Sequence, residues 1–300
     1  MLPQGTFRNS TGDGGKIWVY NYSGAGSIKP LKLVNFDLKE ATFHPLGIEY
    51  WAPSNTLYVI NHGTLISTIE IFSVDFSKST ATHVRSFSHA LIPYPNSLAL
   101  VGKDEFYVTN DHLIGARTSQ LFAKIETYLS IPLASVVYVD LNAEKVAVSA
   151  RVAWANGITL LNPTTIAVAS TSTPGVYLYS YDPETKILVN LSLQRLPFFP
   201  DNISTDSRGR LLITGHPHPP SLEIVSKTNY QFDLDGKKDD SARPRSPSWV
   251  VEWDGEMVRD IYVDDGTEFG CSSTAVWDNS RGVGIITGLY EKGILVWTNK

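Results

Sequence analysis

Pro95-Asn96-Ser97-Leu98-Ala99-Leu100, followed by Glu105-Phe106-Tyr107-Val108-Thr109-Asn110-Asp111-His112, carries the plan of the whole chain. An apolar strand opens just after a turn, and a second strand closes on polar side chains. The design recurs. Further openings are Pro45-Leu46-Gly47-Ile48, Ala155-Asn156-Gly157-Ile158, Pro200-Asp201-Asn202-Ile203 and Cys271-Ser272-Ser273-Thr274. Their closings are Asn61-His62, Ser170-Thr171, Gly215-His216 and Gly288-Leu289. The openings begin at 45, 95, 155, 200 and 271, so they stand 45 to 71 residues apart. A strand-built repeat of that size predicts the blades of a β-propeller. In an antiparallel pair the end of the second strand lies beside the start of the first. All the openings and closings therefore share one end of the molecule. If each pair is the inner pair of its blade, they ring the central channel.

The remaining strand-like runs, such as Val136–Asp140, Val176–Tyr181 and Trp249–Trp253, are rich in Val, Tyr and Trp and bounded by turn residues. Lys16–Tyr20 reads as an outer strand without inner partners, so the expected fold is an all-β, six-bladed propeller with an incomplete first blade, in one domain over 1–300. Thr118–Leu129 departs from the pattern. It places Leu121, Phe122, Ile125, Tyr128 and Leu129 at helical spacing and predicts a short helix beside the polar end. That helix is either a cap on the sheet ends or a lid over a substrate. Phe232–Ser246 reads as a loop, and its Asp233-Leu234-Asp235-Gly236 does not continue into a calcium loop, because Pro244 stands where the closing Glu belongs.

The formal net charge is −5, with no run of five basic residues, which argues against nucleic acid and anionic membrane as partners. The lone cysteine, Cys271, excludes an intrachain disulfide. No signal peptide and no transmembrane span is expected in this chain. Asn-x-Ser/Thr sequons at Asn9, Asn21, Asn190 and Asn202 lean toward a secreted glycoprotein, with Asn202 set aside because it falls at the channel.

The candidate chemistry sits at the polar end. Asn110, Asn156, Asp201 and Asn202 offer amide and carboxylate oxygens, hard donors suited to calcium. Any one of them alone reads as a strand cap or turn residue; four converging favour a metal site. Asp111, next to Asn110, points another way on an alternating strand and serves a second, deeper ion or a structural bond. His62 faces the same pocket and is a candidate general base, with His112 and His216 at comparable positions. The Cys271-Ser272-Ser273 stretch lacks the second glycine of a nucleophile elbow.

These segments resemble the serum paraoxonase/arylesterase family. Thr109-Asn110-Asp111-His112, Trp154-Ala155-Asn156-Gly157-Ile158, Asp201-Asn202-Ile203-Ser204, Val59-Ile60-Asn61-His62 and Phe43-His44-Pro45-Leu46-Gly47-Ile48 carry the likeness, in order, from about Lys16 onward. The resemblance implies a six-bladed propeller that hydrolyses lactones and aryl esters with two calcium ions in its channel, acting on a small lipophilic substrate. It implies a catalytic calcium at Asn110, Asn156, Asp201 and Asn202, a structural one at Asp111 and the Ile48 carbonyl, and catalytic roles for His62 and Asp201. It also implies a secreted setting for a full-length form. Three features depart from it. Leu46 stands where the family has the inner histidine of a dyad, with His44 two residues away. The acidic pair that the family supplies from an earlier segment is missing, and so is the N-terminal half of its disulfide. The chain is therefore expected to lack an N-terminal piece. The rival expectations are a non-catalytic calcium- or ligand-binding propeller and a strictosidine-synthase-like propeller.

Overall fold

A computed structural model describes residues 15–23, 26–36, 43–63, 65–115, 118–229 and 243–298. The sequon at Asn9 and residues 232–242 of the expected loop lie outside them. The Val-, Ile- and Tyr-rich runs form strands, as β-branched and aromatic side chains favour. A ribbon of β1 (Trp18–Asn21) and β2 (Ser27–Pro30) comes first, then β3 (Lys32–Val34). The first blade holds β4 (Pro45–Trp51), β5 (Thr56–His62), β6 (Ser67–Asp75) and β7 (Thr80–Phe87), with β3 added parallel to β7. The second holds β8 (Pro95–Gly102), β9 (Glu105–Asn110), β10 (Ala134–Asp140) and β11 (Lys145–Val152). The third holds β12 (Ala155–Asn162), β13 (Thr165–Ser170), β14 (Gly175–Tyr181) and β15 (Leu188–Arg195). The fourth holds β16 (Phe199–Thr205), β17 (Leu211–His216), β18 (Ser248–Trp253) and β19 (Val258–Asp264). The fifth holds β20 (Ser272–Asp278), β21 (Val283–Gly288) and β22 (Leu295–Thr298).

The described residues thus form five blade sheets, not six, each a run of antiparallel neighbours in chain order. The two-stranded ribbon stands apart from these sheets. It bridges the last blade and the first. Tyr22 Oη donates to Asp278 Oδ2 of β20 at 2.8 Å, while Ile17 and Leu31 pack with Leu57, Val59 and Phe72 of the first blade. The expected outer strand is present, paired with β2.

The cores lie in the seams between blades. Tyr58, Ile60 and Ile71 meet Leu98 and Val108 between the first and second blades; Tyr107 and Val136 meet Ile158 and Val168 between the second and third. Two helices cover the polar end, α1 (Gln120–Tyr128) and α2 (Pro219–Thr228). The expected helix is present, capped by Ser119 Oγ accepting from the Phe122 N–H at 3.4 Å. Its apolar face is turned outward. Leu121, Phe122, Ile125, Tyr128 and Leu129 face solvent, and Ala123, Glu126 and Thr127 face inward. The reason is local. The buried Glu126 carboxylate accepts the N–H groups of Leu113 and Ile114, and Thr127 Oγ1 meets His112 Nε2 at 2.9 Å.

Every innermost strand slips register at the same place. The breaks lie between Pro45 and Ile48, Pro95 and Ser97, Ala155 and Ile158, Pro200 and Ile203, and Ser272 and Thr274. Each is a β-bulge, one extra residue that re-aims the side chains around it. Two bulges require glycine for close approach. A Cβ at Gly47 would lie 2.4 Å from the Asn96 carbonyl oxygen, and one at Gly157 2.6 Å from Asn202 Cα and Ile203 N. These neighbours are backbone and cannot swing aside. Gly157→Ala is therefore expected to destabilise the fold by about 1–3 kcal/mol, the usual range for overpacking, read as a lowered urea midpoint at unchanged slope.

Candidate active site

The bulges place two residues of each blade at the polar end, one in the inner strand and one in or just past the last pair of the second strand. In blade order they are Leu46 and His62, Asn96 and Asp111, Asn156 and Thr171, Asp201 and His216, and Ser273 and Leu289. Bonds join some of these pairs. Asn156 Nδ2 donates to Thr171 Oγ1 at 3.0 Å, and His216 Nε2 donates to Asp201 Oδ2 at 3.2 Å. Other bonds stitch each blade to the next. His62 Nε2 donates to the Pro95 carbonyl at 2.6 Å, Thr109 Oγ1 to the Asn156 carbonyl at 2.6 Å, and Thr171 Oγ1 to the Pro200 carbonyl at 2.7 Å. Ser272 Oγ donates to the Gly215 carbonyl at 3.3 Å, and Asn202 Nδ2 to Ser273 Oγ at 3.3 Å.

Of the residues singled out in the sequence, Asn156, Asp201 and Asn202 lie in the neighbouring bulges of the third and fourth blades. Gly157 packs its backbone on that of Asn202 and Ile203, which holds the third and fourth blades' bulges side by side. Asn110 does something else. Its Oδ1 accepts the Tyr94 N–H at 3.1 Å, and its Nδ2 donates to the Leu91 carbonyl and Ser135 Oγ, both at 2.9 Å. Asn61 plays the same part in the first blade, accepting the His44 N–H at 2.8 Å. Both asparagines clip the chain entering the inner strand. The second blade's bulge residue is Asn96, which sequence reading passed over. The signal was its opening tetrapeptide, where Asn96 stands in step with Asn156 and Asp201.

Asp111 is almost wholly buried, and its Oδ1 accepts from His112 Nδ1 at 3.1 Å. Burial pulls the His112 pKa down, but the hydrogen bond and charge of Asp111 and the charge of Glu126 outweigh it and hold it above the ordinary value. His112 also lies against the Trp154 ring, with centroids 4.9 Å apart. Ile48 and Leu46 are half-exposed on β4, where Leu46 has no proton to move. Burial lowers the pKa of His44. Glu49, which sequence reading also passed over, is accessible to water yet enclosed by protein, and the enclosure pushes its carboxyl up to about 7. Cys271 is buried, and burial pushes its thiol up to about 12, which makes it inert as a nucleophile.

A cation at this end would depend on amide oxygens, because among the described residues no three His, Cys, Asp or Glu side chains gather about one point. The donor set fits calcium in kind. Asn156 Oδ1 is buried and has no hydrogen-bond partner, an acceptor left open in the bulge whose Gly157 packs on the backbone of Asn202 and Ile203. A desolvated acceptor of this kind costs about 1–3 kcal/mol unless something meets it, and a hard cation would.

The arylesterase family model matches residues 15–236. That span holds the first four bulges and stops before the fifth. Serum paraoxonase/arylesterase 2 of Bos taurus is 32% identical over 195 residues, covering 63% of this chain and 53% of that protein. The Homo sapiens protein of the same name is 32% identical over 200 residues, covering 65% and 54%. Serum paraoxonase/arylesterase 1 of Mus musculus is 29% identical over 220 residues, covering 68% and 60%. The chain thus spans a little over half the length of the curated relatives it matches. Among solved structures, a Bacteroides fragilis protein proposed to be a 6-phosphogluconolactonase has a TM-score of 0.56 at 10% identity, covering 96% of this chain and 75% of that one. A protein proposed to be a gluconolactonase has a TM-score of 0.57 at 13% identity, covering 93% and 80%. At these identities the likeness shows the propeller fold alone.

Two outcomes test these placements. Asn110→Ala should lower the melting temperature equally with calcium and with EDTA, because it removes backbone clips, whereas Asn96→Ala should lower it only in calcium. In a proton NMR titration His112 should hold its proton to higher pH than an ordinary histidine, and Asp111→Asn should bring the midpoint down. The linked stability is present below the unfolded pKa of about 6.5 and fades as pH rises through the folded midpoint.

Proposed function

The chain belongs to the arylesterase family, and on that premise we propose that it is a calcium-dependent hydrolase of lactones and aryl esters. The observation that supports this reading is the buried, unpartnered Asn156 Oδ1 in a bulge packed against the one that holds Asp201 and Asn202. Asn96, Asn156, Asp201 and Asn202 would hold the catalytic ion, and Asn110 would join only by giving up its bonds to Leu91 and Ser135. Asp111 and the Ile48 carbonyl would serve a second ion deeper in the channel. A bound calcium ion supplies Lewis acidity and positive charge beside an ester carbonyl.

The chain's own residues handle position and proton. Asp201 receives the Nε2 proton of His216, which leaves His216 Nδ1 as the basic atom, and that atom is buried with no hydrogen-bond partner. The Asp201–His216 pair is thus poised to take a proton from an attacking water. His62 gives its own Nε2 proton to the Pro95 carbonyl, so only Nδ1 could serve as a base there. A cavity of about 250 Å³ between α1 and α2 is lined by Thr127, Tyr128, Phe199, Pro219 and Pro220. Its apolar walls suit a lipophilic acyl or aryl group. The β1–β2 ribbon is then the outer pair of a sixth blade, and the exposed sequons at Asn21 and Asn190 suit an extracellular setting.

EDTA should abolish hydrolysis of a lactone and of an aryl ester, and added calcium should restore both. Asp201→Asn keeps the shape and removes the charge. It should remove calcium-dependent turnover while lowering the melting temperature only modestly, and full activity in that variant would leave a binding propeller as the better reading. His216→Gln should reduce kcat by ~10²-fold or more, with His62→Gln doing less; the opposite ranking would return the base role to His62.

A further inference from the structure

We propose that Asn190 is an N-glycosylation site whose sugar covers the open edge of the third blade. The proposal rests on the extracellular setting above and not on the hydrolase reading. β15 is the outermost strand of its sheet, with no strand on its far side among the described residues. An edge strand offers unpaired N–H and C=O groups to any passing chain, and charged side chains on the strand are a common defence. The outer strands of the first, second and fourth blades have that defence. β7 carries Arg85 and is covered by β3, β11 carries Lys145 and Arg151, and β19 carries Arg259, Asp260 and Asp264. β15 has only Arg195, its last residue. From Ile187 to Gln194 no residue is charged, and Ile187, Val189 and Leu191 are 58%, 57% and 60% exposed. An uncharged apolar window on an open edge is an aggregation hazard.

In place of charge the window holds Asn190-Leu191-Ser192, an acceptor sequence for N-linked sugar. Both Asn190 and Ser192 are exposed, and the Asn190 amide has no hydrogen-bond partner among the described residues. The other described sequons are engaged. Asn21 Oδ1 accepts the Ser23 N–H at 2.9 Å and the Ser23 hydroxyl at 2.5 Å, and Asn202 Nδ2 donates to Ser273 Oγ at the channel. In the transfer, Asn190 Nδ2 forms a bond to the anomeric carbon of a lipid-linked oligosaccharide diphosphate. The bond from that carbon to the diphosphate oxygen breaks, the lipid diphosphate leaves with the electron pair, and Nδ2 loses one proton. The bulky, hydrated sugar then stands between Val189 and Leu191, on the edge where a second strand would dock.

Peptide mass mapping after treatment with peptide N-glycosidase tests the site. It is done on the chain secreted from eukaryotic cells behind a leader peptide and on the protein purified from its own cells. The enzyme should convert Asn190 to Asp in both. A sugar-free Asn190 in the secreted chain would overturn the site, and a sugar there but none in the natural protein would overturn the extracellular setting and the proposal with it. Light scattering tests the covering role. Ser192→Ala removes the acceptor sequence and should make the secreted chain aggregate several-fold faster at an unchanged melting temperature. Adding Leu191→Lys, which puts a charge on the edge, should restore the parent's behaviour. A Ser192→Ala chain that stays as dispersed as the parent would overturn the covering role. A glycosylated chain without ester hydrolysis would overturn the hydrolase reading and leave this one standing.

Discussion

One extra residue in each inner strand governs this molecule. In an unbroken strand, side chains alternate strictly between the two faces, and on a propeller blade both faces belong to seams. Without the bulge, Asn156 and Asp201 would be seam residues like Ala99 and Thr159. The inserted residue breaks the alternation at the end of each strand and stops regular pairing there. It brings the backbones of neighbouring inner strands into contact, which glycine permits at positions 47 and 157. Site and ring closure thus arise from the same local irregularity.

The irregularity leaves carbonyls without ladder partners, and buried ones must be met. His62, Thr109, Thr171 and Ser272 meet them across the seams. Structural and chemical roles therefore overlap at this end. His62 is both a candidate base and the link from the first blade to the second, so loss of activity on truncating it would not separate the two. Asp201 is different. Its hydrogen bond runs to His216 within its own blade, and an amide of the same shape preserves packing while removing charge.

Local turn chemistry made much of the fold legible. Pro-Asn, Asn-Gly and Asp-Asn openings punctuate the chain at blade spacing, and all five hairpins form in the expected register. What stayed hidden depends on pairing between distant residues. That Asn96 lies in a bulge while Asn110 clips Tyr94 and Leu91 follows from the pairing between Pro95 and Ser97, which no single strand displays. The facing of helix α1 stayed hidden for a related reason. Its apolar stripe is plain in the sequence, but the surface under it is polar, with free N–H groups at Leu113 and Ile114 that Glu126 satisfies. Helix α2 spans ten residues and opens on Pro219-Pro220, too short a run to show a period.

The order of the blades sets how charge meets charge. The seams run from the first blade through the fifth, with the ribbon closing back onto the first. His62 belongs to the first blade, and Asp201 and His216 to the fourth. A substrate entering from the helix-covered end would meet an Asp–His pair on one side, and on the other a histidine tied to Pro95 beside the inert Leu46. That asymmetry is why the proton is expected to move on the fourth blade.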